Sequence, residues 1–393
     1  MVDYDPFDPV HVADPYPAFA RLRDESPVYQ VPGRGYWVLS RFDDVHMALR
    51  DHETFSSAKG VGPEPIWAPA LITTDPPVHT RLRRLVTKPF TPRAIEATWT
   101  ERVSELAAAF VEPLVGAGVV DAVESLTWPI PVQVIAEMLG IPTSDLDAFK
   151  HWSDELCNGI GGHLDPKMME RTAAAYVEVY AYLEEVIAAR RGTGDDRDDL
   201  ISRLLGGGDG DESLDDREIA HFCILLLIAG NETTTNLLGG MLLTLAANPA
   251  VWSALCADPS LAPAAVEEML RFWSPTQALF RQTTADVTLH GTTIPADSRV
   301  MLAIASANRD GRRFDAPDEV RLDRDPNDHL AFGNGIHLCL GAPLARLEAR
   351  AVLEVLIAST SEITVAGDVR MADNFMLRGP VKLPLVLAPR TSG

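Results

Sequence analysis

The sequence predicts a mainly α-helical chain with small β-sheets, on three observations. Apolar residues recur at three- and four-residue spacing over most of the length. One such stretch, Asp216 to Ala247, is about nine turns long at 3.6 residues per turn and apolar on nearly all faces except at its centre, the pattern of a helix running through a core. Strand-like runs are few and short.

In chain order, helical periodicity covers Pro15 to Arg23, Val78 to Thr87, Pro92 to Val115, Pro131 to Leu139, Met168 to Arg190, Asp216 to Ala247 and Ala342 to Thr360. Alternating or β-branched runs mark strands at Val28 to Gln30, Tyr36 to Leu39, Val287 to Leu289, Arg299 to Ala303 and Lys382 to Leu387. No Pro/Ser-rich linker or repeat divides the chain, so residues 1–393 read as one domain. The Gly/Asp-rich stretch Arg191 to Asp216 reads as a mobile surface connection between helices.

With 46% hydrophobic residues the chain can bury a large core. Its 34 basic and 56 acidic residues give a net charge of −22, which argues against nucleic acid and anionic membrane as partners. The N-terminal residues carry no basic and apolar leader pattern. The most apolar run, Phe222 to Gly230, is cut by Asn-Glu-Thr and is too short to span a bilayer. A soluble, cytoplasmic protein is expected. Cys157, Cys223, Cys256 and Cys339 are widely separated, so neither a zinc ribbon nor covalent haem attachment is indicated. The first three read as buried thiols.

Cys339 differs. It lies in Phe332-Gly-Asn-Gly-Ile-His-Leu-Cys-Leu-Gly-Ala-Pro-Leu-Ala-Arg346, a tight loop followed at once by a helix. Backbone N–H groups at the helix start, Gly341 among them, can point at the sulfur, and the helix dipole lowers a thiol pKa. This is the setting of a permanently ionised metal ligand. Gly333 and Gly335 let the backbone run close against a flat partner, and Phe332 can shield the sulfur from water. A buried structural cysteine is the alternative.

The loop resembles the cysteine-ligand loop of the cytochrome P-450 family, the haem-thiolate monooxygenases, at Phe332, Gly333, Gly335, His337, Cys339, Gly341, Ala345 and Arg346. The resemblance implies a P-450-like fold with the long helix over haem b, and Cys339 as the iron ligand. A thiolate ligand pushes electron density onto iron and favours O–O cleavage.

Three further motifs agree. The centre of the long helix reads Ala229-Gly230-Asn231-Glu232-Thr233-Thr234. Ala229 and Gly230 leave room for a flat group and a diatomic ligand. Glu232 and Thr233 offer an acid and a hydroxyl that can relay protons to bound O2. Alternatively, Thr233 bonds back to a main-chain carbonyl and Glu232 makes a buried structural pair. Glu268-Met-Leu-Arg271 places an acid and a base one helical turn apart, and in the family this pair is structural. His79 and Arg83 share a helix face, and with Arg281 and His337 they match family positions that hold the haem propionates.

The resemblance also implies a substrate pocket lined by Val61 to Ile72, Leu225 to Ala229, Thr276 to Phe280 and Phe375 to Leu377. The lining residues are Trp67, Ile72, Leu225, Ile228, Leu279 and Met376, with Gln277 as a hydrogen-bond partner. Strand alternation puts Gln277 and Leu279 on the same side as Arg281. Such a lining suits a hydrophobic small molecule, to be hydroxylated at a C–H bond. Arg81, Arg84 and Lys88 form a basic cluster that reads either as a solvated helix face or as the docking patch for an iron–sulfur ferredoxin. No flavin or nicotinamide motif is evident, so electrons are expected from outside, and the resemblance to soluble bacterial members implies an iron–sulfur ferredoxin served by a flavin reductase. The rivals are a peroxide-driven or coupling-type haem oxidase, and a haem-binding sensor. The acid–alcohol pair counts against the peroxide-driven branch, and a sensor has no need of a proton relay.

Overall fold

The computed structural model describes residues 2–64, 70–160, 166–193, 199–206 and 213–390. Its frame is the helix Asp216–Ala247, hereafter the central helix. A capping box starts it. The Asp215 carboxylate accepts the Glu218 N–H at 2.7 Å, and the Glu218 carboxylate accepts the Asp215 N–H at 3.1 Å. It ends at Asn248, where Pro249 opens the next helix. Helices Pro129–Leu139, Leu146–Asn158, Pro166–Thr193 and Ala262–Trp273 pack around it. The central helix is long and apolar enough to cross a membrane, but 67% of its most apolar window is buried inside the protein. It is a core helix here.

Helix Ala342–Ser359, which follows the Cys339 loop, lies against Pro92–Val111 and Ala262–Trp273. Together these helices enclose the largest apolar core, with Leu106, Leu126, Leu238, Leu242, Val352 and Leu356 among its buried members.

A five-stranded sheet stands beside the helices, in the order Val28–Gln30, Tyr36–Leu39, Arg299–Leu302, Leu279–Thr283, Phe55–Ser56. Only Tyr36–Leu39 and Arg299–Leu302 run parallel. Both faces are buried. Val38, Phe280 and Met301 join one apolar cluster, and Leu39, Val300 and Leu302 another. Alternation along Leu279–Thr283 therefore sends Phe280 to one face and Arg281 to the other. Smaller sheets pair Val119–Asp121, Pro384–Pro389 and Thr360–Val365, and close hairpins at Val287–Leu289/Thr292–Ile294 and Arg370–Met371/Pro380–Lys382.

Helix Val78–Thr87 and the central helix have the limits expected from periodicity. Other expectations need correction. The stretch after Arg191 is not connection alone. It contains helix Leu200–Leu205, capped by the Asp199 carboxylate on the Ser202 N–H at 2.8 Å, with Leu200, Ile201 and Leu204 buried. The helix foreseen to Val115 stops at Val111 and tightens through Glu112–Leu114, where Pro113 has no N–H to give. The strand foreseen over Lys382 to Leu387 is two strands. Pro380–Lys382 and Pro384–Pro389 pair with different partners, and Leu383 lies between them. Helices Phe42–Arg50, Leu146–Asn158 and Pro249–Ala257 were not foreseen.

Candidate active site

The Cys339 loop is held by its own backbone. Gly333 N–H donates to Leu330 O at 2.8 Å, Leu338 N–H to Gly335 O at 3.2 Å, and Cys339 N–H to Phe332 O at 2.9 Å. The sulfur then meets the start of helix Ala342–Ser359, where the Gly341 and Ala342 N–H groups bond to it. Arg83 and Arg346 also favour its anion. Burial is nevertheless the largest effect, and the thiol pKa lies above its ordinary value. The N–H groups and cations expected to favour the anion are thus present and act against burial, and a bound metal cation would add to them. Cys339 keeps accessible surface. A Cβ on Gly341 would meet nothing within 4 Å.

Gly335 has φ +70°, and a Cβ there would lie 2.6 Å from Leu49 O and 3.0 Å from Arg50 Cα. The close protein partner is the end of helix Phe42–Arg50. Phe332 is half-buried, with the Arg346 guanidinium 4.5 Å from its ring centroid.

His79 and His337 pack together, and Arg83 and Arg281 act electrostatically on His337. The two imidazole rings lie 4.4 Å apart, and Nε2 of each is buried without a partner. Burial, and then Arg281, His79, Arg83 and His52, push the His337 pKa down to about 3. Burial and Arg83 lower that of His79. Arg281 is fully buried, and its Nη1 bonds only to the neighbouring Phe280 carbonyl at 2.8 Å. Burial brings its pKa down to about 10. The acid that favours both His79 and Arg281 is Asp75, whose carboxylate is engaged by Ser56 Oγ and the Ser57 N–H. Buried donors and cations therefore converge with little counter-charge. That is unfavourable by itself and suited to a group bearing two carboxylates. His52 joins this field and was not foreseen; nothing in its local sequence marks it.

Haem b fits these residues. Among the described residues no group of three or more His, Cys, Asp or Glu stands ready to hold a metal. A single sulfur that keeps accessible surface therefore suits an iron whose other ligands come from a macrocycle.

On the central helix, Leu225, Ile228, Ala229, Glu232 and Thr233 keep accessible surface while their neighbours Leu226, Leu227, Asn231 and Thr234 are buried. The spacing makes one stripe, so one face of a core helix lines open space. Thr233 Oγ1 donates to Ala229 O at 2.6 Å, the back-bonded state foreseen as the alternative. Glu232 accepts from Asn236 Nδ2 at 3.1 Å. Burial raises its pKa, with Asn236 and Lys150 opposing and Asp154 adding to the rise. Gly230 does not face that space: a Cβ there would lie 2.7 Å from Ile135 Cδ1, so the glycine admits helix Pro129–Leu139 instead.

Glu268 and Arg271 are fully buried and doubly bonded at 2.7 and 2.8 Å. Arg271 continues to Asn308 O, Pro317 O and Glu319 O, and Glu268 accepts from Arg324 and the Arg321 N–H. The pair thus ties helix Ala262–Trp273 to the loop leading to Cys339.

The pocket residues are partly rearranged. Trp67 lies outside the described residues. Ile72 is half-buried in the turn Leu71–Thr73, and Leu279 shares the strand face of Arg281. Gln277 precedes that strand. Its Nε2 donates to Trp273 O at 2.9 Å and Ser274 O at 2.6 Å, so its donors close a helix end. Strand alternation does not reach it. Met376 is buried in the sheet cluster, and its carbonyl accepts the Gln277 N–H at 2.7 Å. In the basic cluster, Arg84 and Lys88 are exposed, and Arg81 pairs with Glu218.

Comparison with known proteins bears on the family and the fold. A family model described as Cytochrome P450 matches residues 155–377. The chain is 37% identical over 392 residues to a beta-dihydromenaquinone-9 omega-hydroxylase of Mycobacterium tuberculosis, covering 100% of this chain and 80% of that one. It is 38% identical to a vitamin D(3) 25-hydroxylase of Pseudonocardia autotrophica, covering 96% and 95%. Among solved structures, CYP109Q5 from Chondromyces apiculatus superposes with TM-score 0.88 at 41% identity, covering 100% of both chains. CYP109E1 from Bacillus megaterium in complex with testosterone superposes with TM-score 0.88 at 34% identity, covering 96% and 98%.

Proposed function

The chain belongs to the cytochrome P450 family of haem b monooxygenases, and on that premise we propose that it hydroxylates a bulky apolar small molecule with electrons from an external ferredoxin. The observation that carries the reading is the Cys339 loop, with the Gly341 and Ala342 N–H groups on the sulfur, beside the buried His79, His337 and Arg281 side chains that have little counter-charge.

Bound haem supplies the iron at which O2 is reduced and one oxygen atom is transferred to a C–H bond. Cys339 Sγ ligates the iron, held by the Gly341 and Ala342 N–H groups. His79, Arg83, Arg281 and His337 hold the carboxylates. Their approach supplies the counter-charge this cluster lacks, which orients the cofactor as well as binding it. Glu232, whose pKa burial raises, is the proton reservoir. Lys150 and Asp154, paired at 2.7 Å and partly exposed, lie within its electrostatic reach and link it toward solvent. Thr233 Oγ1 carries the proton onward once it leaves the Ala229 carbonyl. The apolar stripe excludes water, which protects protons and electrons from side reactions.

The relatives' names bear on substrate class. A menaquinone, a secosteroid and a bound steroid are all large and apolar, and Leu225, Ile228, Ala229 and Leu279 offer no charge. Exposed Arg84 and Lys88 supply the patch for an acidic ferredoxin. Such an enzyme works in the cytoplasm, where reduced ferredoxin is made. Reconstitution with a ferredoxin, its reductase and NADH tests the reading against a panel of steroids and isoprenoids. Hydroxylated product proportional to NADH consumed is expected, and Thr233→Ala should lower that ratio several-fold while NADH consumption continues. Turnover equal with hydrogen peroxide alone, or unchanged coupling in Thr233→Ala, would contradict it.

A further inference from the structure

Helix Ala262–Trp273 presents two consecutive carboxylates, and only Glu268 belongs to the pair already described. Glu267 turns the other way, toward the Cys339 loop. Arg346 Nε donates to Glu267 Oε1 at 2.6 Å and Nη2 to Oε2 at 2.9 Å. His329 Nε2 lies 3.2 Å from Oε2, and the His329 side chain is only 3% exposed. Burial pushes the Glu267 pKa up, but these two partners outweigh it and bring it to about 2, so the carboxylate is ionised.

Both partners lie against one ring. The Arg346 guanidinium sits 4.5 Å from the Phe332 centroid, and the His329 ring centroid is 6.1 Å from it. Phe332 in turn accepts the Cys339 N–H, and Arg346 acts electrostatically on the Cys339 sulfur. A cation held two-pronged by its counter-ion thus acts on the sulfur.

We propose that Glu267 is a positioning residue that clamps Arg346 and His329 against Phe332 and sets how strongly the Arg346 charge acts on the Cys339 ligand. The proposal rests on the reading of Cys339 as the iron ligand. One-electron reduction adds negative charge at the iron–sulfur centre, so an uncompensated cation nearby favours it. Removing Glu267 leaves Arg346 uncompensated and raises the potential. Removing Arg346 leaves the carboxylate and lowers it. Arg346 is 41% and Glu267 32% exposed, so solvent screens the effect. A shift of up to tenfold in the ferric/ferrous equilibrium, about 59 mV for one electron, is expected.

The test measures midpoint potentials of haem-loaded wild type, Glu267→Gln, Arg346→Gln, the double variant and Glu267→Asp. Opposite shifts in the single variants, cancellation in the double and a near-native value in Glu267→Asp support the proposal. Single variants that do not move, or that move in the same direction as a merely loosened loop would, overturn it. If Glu267→Gln loads no haem, Arg346→Gln decides alone: a potential that stays or rises overturns the proposal. A wild type without a thiolate spectrum would overturn the Cys339 reading and this inference together. A normal thiolate spectrum with unmoved potentials would remove the Glu267 role only.

Discussion

Replacing Gly335 by alanine separates two demands that the Cys339 loop makes on one residue. The first is conformational. Gly335 has φ +70°, and a residue with a Cβ pays about 1–2 kcal/mol to sit there. The second is steric. The new methyl would start 2.6 Å from Leu49 O and 3.0 Å from Arg50 Cα, both backbone atoms at the end of helix Phe42–Arg50. No side-chain rotation relieves that contact, so the loop or the helix end must shift, at about 1–3 kcal/mol for overpacking of this kind. The sum is about 2–5 kcal/mol, a large share of the roughly 5–15 kcal/mol typical of folded domains. The shift propagates to the sulfur because Leu338 N–H donates to Gly335 O at 3.2 Å, next to Cys339. Gly333 is the internal control. It has φ +69°, but its Cβ would meet nothing closer than His337 O at 3.9 Å. Gly333→Ala should therefore lose only the conformational part. Thermal unfolding of the two haem-loaded variants, with the thiolate fraction read from the carbon monoxide spectrum, gives the comparison. Equal losses in both, or a harmless Gly335→Ala, would refute the contact with helix Phe42–Arg50 as the reason for glycine.

Other expectations follow from buried ionisable groups. Glu348 is fully buried, its Oε2 has no partner, and burial pushes its pKa up to about 8. The unfolded chain releases this proton near pH 4.3, so between there and pH 8 the folded state binds more protons and stability falls as pH rises. Glu348→Gln abolishes the loss, and its advantage over wild type should grow by about 2–3 kcal/mol between pH 5.5 and 7.5 in denaturant titrations. A pH-independent difference would contradict the buried neutral acid. Arg281→Met removes a buried cation with little counter-charge, so the haem-free chain should melt higher while haem dissociates on the order of tenfold to a hundredfold faster, as the loss of one charge-assisted bond implies. Unchanged haem retention would remove Arg281 from the carboxylate-binding set.

What the sequence made legible depended on range. The central helix and Val78–Thr87 carry their own periodicity, and the latter's face alone puts His79 and Arg83 together. The Cys339 loop is legible because turn, sulfur and helix start are contiguous. Features decided across the fold were not. Gly335 looked like a ligand contact, but its neighbour is Leu49, distant in sequence. Gly230 was read as space for a ligand and instead receives Ile135. Gln277 seemed to continue a strand, yet its amide closes the helix before it. The Cys339 thiol illustrates a balance no local pattern can strike, since burial opposes the N–H groups and cations that the motif supplies. Helix Phe42–Arg50 was missed because it is short and opens at Arg41 with no side-chain cap.

The most direct test of the central claim is the absorption spectrum of purified protein, reduced with dithionite under carbon monoxide, for wild type and Cys339→Ser. The account predicts a strongly red-shifted Soret band in the wild type that is absent in the variant. A wild-type band at the position of ordinary histidine-ligated haem, or a red-shifted band that survives loss of the sulfur, would contradict Cys339 as the ligand on which the rest is built.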